Sequence, residues 1–221
     1  MTQKFLIREG NSPLLLFFAG WGADDTPFRA YRPEGMDFML CYDYRTLRFD
    51  HRLVEGYKAV HIIAWSMGVW AASHVAPTLT VPVAESLAVN GTPYPADDTR
   101  GIPTAIYRGT LEGLTGPSLH KFLRRMCADT AAFRAFLAVT PRRPLEELRE
   151  ELASVETACR NLPAPGFAWQ QAIVAMDDRI IPPANQLQAW REAGTTVMQV
   201  EGAHYDERLF RHYLQDRWTS D

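Results

Sequence analysis

Cysteine is scarce in this sequence. The chain has three cysteines among 221 residues, Cys41, Cys127 and Cys159, and none belongs to a Cys-x-x-Cys pair. An odd number of widely spaced cysteines does not suit a disulfide framework and favours free thiols in a reducing compartment. We therefore expect a cytoplasmic protein. None of the three follows a predicted strand and precedes a helix, so a cysteine nucleophile is not expected.

Long hydrophobic runs are missing, and so is a large net charge. The longest apolar stretch, Leu14 to Ala19, is far too short to cross a bilayer. The N-terminal segment lacks the apolar core of a secretory signal, so we predict a soluble protein without a membrane partner. The formal net charge of -3 and the pI near 6.1 give no global attraction for nucleic acid, which we do not expect as a partner.

Metal and dinucleotide motifs are also missing. No two histidines have a ligand spacing such as His-x-x-x-His, so a metal site is not expected. Gly20-x-Gly22 could begin a dinucleotide loop, but Asp25 stands where the third glycine would be. The sequence therefore predicts an activity that uses neither a metal nor a cofactor.

What the chain does contain is the apolar content of a sizeable core, 47% of its residues. Short apolar runs bounded by turn residues predict strands, and helical patterns follow several of them. This alternation favours an α/β fold, with a mostly parallel central sheet and helices on both faces. The predicted strands are Phe5–Ile7, Leu14–Phe18, Phe38–Tyr42, Ala59–Ala64, Ser86–Val89, Ala172–Ala175 and Thr196–Val200, and helices are predicted after Ser66, over Ala184–Glu192 and over Asp206–Trp218.

The alternation stops between residues 95 and 165. Segments Leu119–Met126, Thr130–Leu137 and Leu145–Leu162 have helical patterns, and prolines separate them. We expect a helical cap of three or four elements over residues 95–165, inserted into a core formed by residues 1–94 and 166–221.

The most informative stretch runs from Ile62 to Trp70. An apolar strand ends at Ala64-Trp65, Ser66 follows, and a helix begins at Met67-Gly68. This small-x-Ser-x-Gly pattern is typical of a nucleophile elbow, a sharp turn that lifts a serine hydroxyl clear of the sheet. We expect Ala64 and Gly68 to face each other across the turn. The alternative is an ordinary strand-turn-helix with a capping serine.

Other polar residues also follow predicted strands, where parallel sheets bind ligands. Asp177 and Asp178 follow one strand and His204 follows the last, so the chain order is serine, aspartate, histidine, as in α/β-hydrolases. A serine needs an imidazole to take its proton, and the imidazole needs a carboxylate behind it. We predict Ser66, His204 and Asp178 for these roles and prefer Asp178 to Asp177 because it opens Asp-Arg-Ile-Ile-Pro.

A tetrahedral oxyanion requires two fixed N–H donors. The order of the three residues indicates the α/β-hydrolase fold. In that fold one donor comes from the residue after the nucleophile and the other from the first glycine-rich loop. We predict the backbone N–H groups of Met67 and Trp21 as the oxyanion hole.

Four segments together carry a family resemblance: Phe17-Phe18-Ala19-Gly20-Trp21-Gly22, Tyr42-Asp43-Tyr44-Arg45, Ala64-Trp65-Ser66-Met67-Gly68 and Gly202-Ala203-His204-Tyr205. Over essentially its full length the chain resembles the α/β-hydrolase superfamily. More closely, it is similar to the pimeloyl-[acyl-carrier-protein] methyl ester esterases of biotin synthesis, of the BioG type. One departure is Ala19, where relatives often have a histidine.

The resemblance implies a reaction and a partner. The expected substrate is a pimeloyl chain carried on acyl carrier protein, whose far end is a methyl ester. Ser66 would form an acyl-enzyme as methanol leaves, and water activated by His204 would release the free carboxylate.

The charge distribution agrees with an acidic partner. Residues 100–143 carry eight Lys or Arg against two acidic residues, a local formal charge of +6, while the whole chain carries -3. Such a basic cap favours docking of an acidic carrier protein, although solvated helix faces explain the charges too. We expect carrier or substrate contacts from Trp65, Phe122, Arg124, Arg125, Arg142 and Arg143.

Two other functions stay open on the sequence. A general short-chain carboxylesterase or thioesterase acting on a small-molecule ester would use the same three residues. A non-catalytic protein that binds acyl carriers could keep the fold, but it would not need the full Ser66, Asp178 and His204 set.

Overall fold

The computed structural model describes residues 1–218, and seven strands among them form one sheet. The strand order is β1-β3-β2-β4-β5-β6-β7; β1 is antiparallel to β3, and all the other neighbours are parallel. All seven predicted strands are confirmed, with their ends extended by up to three residues. The strands are β1 Thr2–Ile7, β2 Pro13–Phe18, β3 Asp37–Tyr42, β4 Ala59–Trp65, β5 Val83–Val89, β6 Gln171–Ala175 and β7 Thr196–Val200.

Strand β2 is apolar throughout because both of its faces are covered. Alternate side chains of β2 enter two separate apolar clusters: Leu14 and Leu16 lie in one, and Leu15 and Phe17 in the other. The predicted helices on both faces are confirmed by this arrangement. The helices are α1 Met67–Val75, α2 Thr104–Glu112, α3 Gly116–Met126, α4 Thr130–Ala138, α5 Leu145–Asn161, α6 Pro183–Ala193 and α7 Glu207–Leu214.

Residues 95–165, which we call the cap, contain the four helices α2 to α5. Two of these helices have N-terminal caps formed by nearby residues. Thr115 and Ser118 form a capping box at α3, and the Asp129 carboxylate accepts a hydrogen bond from Ala132 N at α4. The division into core and cap stays a prediction, since the helices also pack against the sheet. The last predicted helix is shorter than expected, because the backbone turns away at Gln215 and a single 3₁₀ turn, Asp216–Trp218, follows.

Candidate active site

Ser66 lies at a strained turn between β4 and α1. It is one of the few non-glycine residues with positive φ, at 57°, and it is buried. This conformation is costly for a residue with a Cβ and persists only where the surroundings enforce it. The turn has the form that the small-x-Ser-x-Gly pattern predicts.

Two glycines allow the close packing of this turn. A Cβ on Gly68 would overlap Phe18 O and lie 2.5 Å from Ala19 O, so Gly68 packs against the end of β2. The expected approach of Gly68 to Ala64 stays a prediction. A Cβ on Gly91 would overlap Ser66 O. The backbones of β2 and of the segment after β5 therefore hold the turn from two sides.

The structure brings together the three side chains that the strand ends predict. His204 Nε2 lies 2.9 Å from Ser66 Oγ, and His204 Nδ1 lies 2.8 Å from Asp178 Oδ2. Both side chains of the His204–Asp178 contact are almost inaccessible, at 1% and 0% exposure respectively. An imidazole in this position can accept the serine proton while the carboxylate stabilises the resulting charge.

Asp178 is oriented by donors from its own loop and from α6. Ile180 N and Ile181 N donate to its Oδ1, at 2.8 and 3.0 Å, and Gln186 Nε2 on α6 donates to its Oδ2 at 2.9 Å. Asp177 is exposed, and its backbone N–H donates to Gly202 O. The geometry therefore places Asp178, and not Asp177, next to His204. Sequence reasoning missed Gln186; the available signal was a polar residue in line with the buried Ala189 and Trp190 of α6.

The loop that carries His204 is held by Asn90 and Trp65. Asn90 Nδ2 donates to the carbonyl oxygens of Ala203 and His204, and Asn90 Oδ1 accepts from Ala175 N. Trp65 Nε1 also donates to His204 O, at 2.9 Å. Asn90 was missed as well, although it directly follows a predicted strand. Its side chain links the end of β5 to β6 and to the loop that carries His204, and so fixes the position of the imidazole relative to the sheet.

Ser66 opens into a cleft whose empty volume, with the open solvent at its mouth included, is about 600 Å³. Trp21 and Met67 line the cleft, and the use of their N–H groups as an oxyanion hole stays a prediction. Phe122 packs edge-on against Trp21, with ring centroids 5.0 Å apart, and separates the cleft from a second cavity of about 520 Å³. Trp65 lines the second cavity only. The remaining residues of the first cleft are largely apolar: Thr92, Pro95, Ile102, Ile106, Tyr107, Thr110, Arg125, Leu152, Ile180 and Ile181.

The four cap arginines that were expected to contact the carrier or substrate occupy different environments. Arg125 is exposed and lines the cleft, and its Nη2 donates to Arg179 O. Arg124 lies over the Phe133 ring and donates to Thr130 Oγ1, and Arg142 is exposed.

For Arg143 the expected carrier contact is wrong. Its side chain is only 7% exposed and pairs with the carboxylates of Asp43, Glu147 and Glu151. A guanidinium so enclosed cannot reach a partner at the surface.

No group of three or more His, Cys, Asp or Glu side chains in residues 1–218 is arranged to hold a metal ion. Within the same residues no helix is both long and apolar enough to span a bilayer.

Comparisons with known proteins identify the family. The model of the family described as pimeloyl-ACP methyl esterase BioG matches residues 1–217. A malonyl-[acyl-carrier protein] O-methyltransferase of Bacteroides fragilis is 50% identical over 200 residues, which are 90% of this chain. The chain spans only 41% of that relative's length.

Solved structures agree. The crystal structure of BioG from Haemophilus influenzae superimposes with a TM-score of 0.86 at 37% identity, covering 98% of this chain and 100% of that one. An alpha/beta hydrolase fold protein from Burkholderia ambifaria, 16% identical, superimposes with a TM-score of 0.62 over 96% of this chain and 92% of its own, which supports the fold. The chain thus has the α/β-hydrolase fold and belongs to the BioG family of pimeloyl-ACP methyl esterases.

Proposed function

We propose that this protein is a serine esterase that hydrolyses the methyl ester of pimeloyl-acyl carrier protein. The observation that carries the proposal is the hydrogen-bonded series Ser66, His204 and Asp178 at the floor of an apolar cleft, in a chain of the BioG family. The products are methanol and the free carboxylate of the carrier-bound pimeloyl chain. Location in the cytoplasm stays a prediction.

The proposed reaction passes through an acyl-enzyme. Ser66 Oγ attacks the ester carbonyl carbon while His204 Nε2 takes its proton, and Asp178 stabilises the imidazolium. The N–H groups of Trp21 and Met67 stabilise the oxyanion. Collapse of this intermediate breaks the bond to the methoxy group, which leaves as methanol with the proton from His204. Water, deprotonated by His204, then attacks the acyl-enzyme and frees Ser66.

The apolar lining of the cleft supports binding of a long apolar acyl chain. Ile102, Ile106 and Leu152 from the cap line the same cleft as Ser66, so methylene groups would contact apolar side chains there. A thioesterase would instead have to place the thioester carbonyl, close to the carrier, at Ser66. The alternative of a general short-chain carboxylesterase predicts no advantage for a carrier-linked substrate.

Substrate choice can be measured directly. With pimeloyl-carrier methyl ester, we expect methanol release with kcat/KM at least about tenfold above that for dimethyl pimelate, because the carrier adds binding energy to the same chemistry. The thioester should stay intact. Release of the free thiol of the carrier would instead indicate a thioesterase, and equal kcat/KM for both esters would indicate a general carboxylesterase.

Carrier docking can be separated from chemistry by reversing charges away from the cleft. The double variant Arg124→Glu, Arg142→Glu should raise KM for the carrier-linked ester about tenfold or more and leave the small ester unaffected. Arg125 is left unchanged because it lines the cleft. The increase should shrink at high salt, where screening weakens attraction in the wild type.

A matched control for these reversals is Arg191→Glu, an exposed arginine on α6 of the core. It reverses one charge, where the cap double variant reverses two, at a site outside the cap, and KM for the carrier-linked ester should change little. A cap double variant with the same KM as the control would contradict docking at the cap.

A further inference from the structure

The segment Tyr42-Asp43-Tyr44-Arg45 has no part in the reaction described above, although it is one of the distinctive motifs of the sequence. In the structure it lies between the cap helix α5 and the loop after β2. Tyr44 is buried, and its hydroxyl donates to Ala19 O at 2.7 Å. Asp43 has a φ of 62°, which turns the chain sharply after β3. The motif therefore joins the cap to the loop that carries Trp21.

Glu151 of α5 is the centre of this junction. It is a completely buried carboxylate, at 0% exposure. Its Oε1 accepts from Tyr44 N at 2.8 Å, and its Oε2 accepts from Gly22 N at 3.3 Å and from Arg143 Nη1 at 2.7 Å. Burial raises the pKa of Glu151, and Arg143 and the hydrogen bond from Tyr44 N oppose this rise. Because every one of these partners is a donor, the contacts require the carboxylate form.

Two more contacts tie the same loop to the cap. Trp21 Nε1 donates to Leu148 O at 2.9 Å, and Arg142 N donates to Asp24 Oδ2 at 2.8 Å. The loop is thus attached to the cap at Trp21, Gly22 and Asp24. Residues 19–24 belong to no helix or strand, so no regular ladder of backbone hydrogen bonds fixes them.

We propose that Glu151 is a positioning residue for the oxyanion hole: by holding Gly22 N, it fixes the peptide plane next to Trp21 and aims the Trp21 N–H at the developing oxyanion. This inference rests on the proposed function. It assigns to the cap a part in transition-state stabilisation in addition to covering the cleft. Preorganised donors are effective because they need not move as charge develops.

The direct test is Glu151→Gln, which keeps the size of the side chain. A neutral amide has one acceptor oxygen, so it can satisfy Tyr44 N or Gly22 N but must present its NH₂ group to the other. We expect kcat to fall about 10-fold to 100-fold on both the carrier-linked and a small soluble ester, with KM nearly unchanged. The control is Glu150→Gln, an exposed neighbour that pairs with Arg45 at 3.0 Å and should keep wild-type kcat.

A second readout distinguishes positioning from a purely structural role. A trifluoromethyl ketone forms an anionic adduct with the serine that needs the oxyanion hole, and its affinity should fall in parallel with kcat in Glu151→Gln. Active sites are counted beforehand by labelling with a fluorophosphonate, so that misfolded protein is not scored. Unchanged kcat per labelled site and unchanged inhibitor affinity, with only a lower Tm, would overturn the proposal.

A second variant covers the case in which Glu151→Gln does not fold. Glu151→Asp keeps the charge that pairs with Arg143 but shortens the side chain by one methylene, so its carboxylate is drawn away from Gly22 N. It should show the same pattern, a several-fold lower kcat and weaker ketone binding at nearly constant KM; wild-type values in both would also overturn the proposal. If the wild type hydrolyses no ester, the proposed function fails; an active wild type with unaffected variants rejects only the positioning role.

Discussion

Ser66→Ala is expected to fold like the wild type and to hydrolyse esters at least about 10⁴-fold more slowly. The variant has no oxygen to attack the carbonyl carbon, so no acyl-enzyme can form, and water must react without that intermediate. The substitution keeps the Cβ and removes one buried hydrogen bond, the 2.9 Å contact to His204. Such a bond contributes only about 1 kcal/mol to stability, so thermal unfolding should change little.

The control is Ser73→Ala, the same substitution about two turns further along, in α1. Ser73 is fully buried, donates to Val69 O and accepts from Trp169 Nε1 at 2.9 Å. Its loss leaves the indole N–H unpaired, which should cost about 1 to 3 kcal/mol, while kcat per folded molecule stays the same. The two variants should therefore show opposite patterns in urea unfolding and in methanol release. An active Ser66→Ala protein would contradict the mechanism.

The strands could be predicted because each is an apolar run that ends at turn residues. Leu14–Phe18 is covered on both faces, so its sequence carries no polar interruption, and Ala59–Ala64 is interrupted only by the half-buried His61. The cap was harder. Helix α2 was not assigned, because Thr104, Gly109 and Thr110 weaken its pattern and only Tyr107 is buried.

Ser66, Asp178 and His204 could be placed together because parallel strands present their carboxyl ends at one edge of the sheet. The residues that orient these three side chains could not be predicted. Asn90, Gln186 and Glu151 are buried polar side chains, and each acts through partners far away in the sequence.

A count of charges also cannot tell an exposed guanidinium from an enclosed one. Arg143 added to the basic character of the cap in the sequence, yet in the structure it stabilises Glu151 and Asp43. Burial of a charge is costly and occurs where partners compensate it, which only tertiary structure reveals.

Asp178→Asn should lower kcat about 10⁴-fold, with the fold intact. Ile180 N and Ile181 N donate to Oδ1, so they will hold the amide oxygen of the new side chain on their side. The amide NH₂ then faces His204 Nδ1 and donates to it. This fixes the imidazole proton on Nε2, where it faces Ser66 Oγ, so the ring cannot accept the serine proton.

The matched variant is Asp177→Asn, which makes the same change at the neighbouring residue. Asp177 is exposed and only its backbone N–H bonds to the His204 loop, at Gly202 O, so kcat should stay within about threefold of the wild type. Both variants are measured for methanol release and for labelling by a fluorophosphonate, which also requires the serine to be deprotonated. Asp178→Asn should be slow in both assays. Loss of activity in Asp177→Asn with retention in Asp178→Asn would assign the acid to the other aspartate, and equal retention in both would remove the carboxylate from the mechanism.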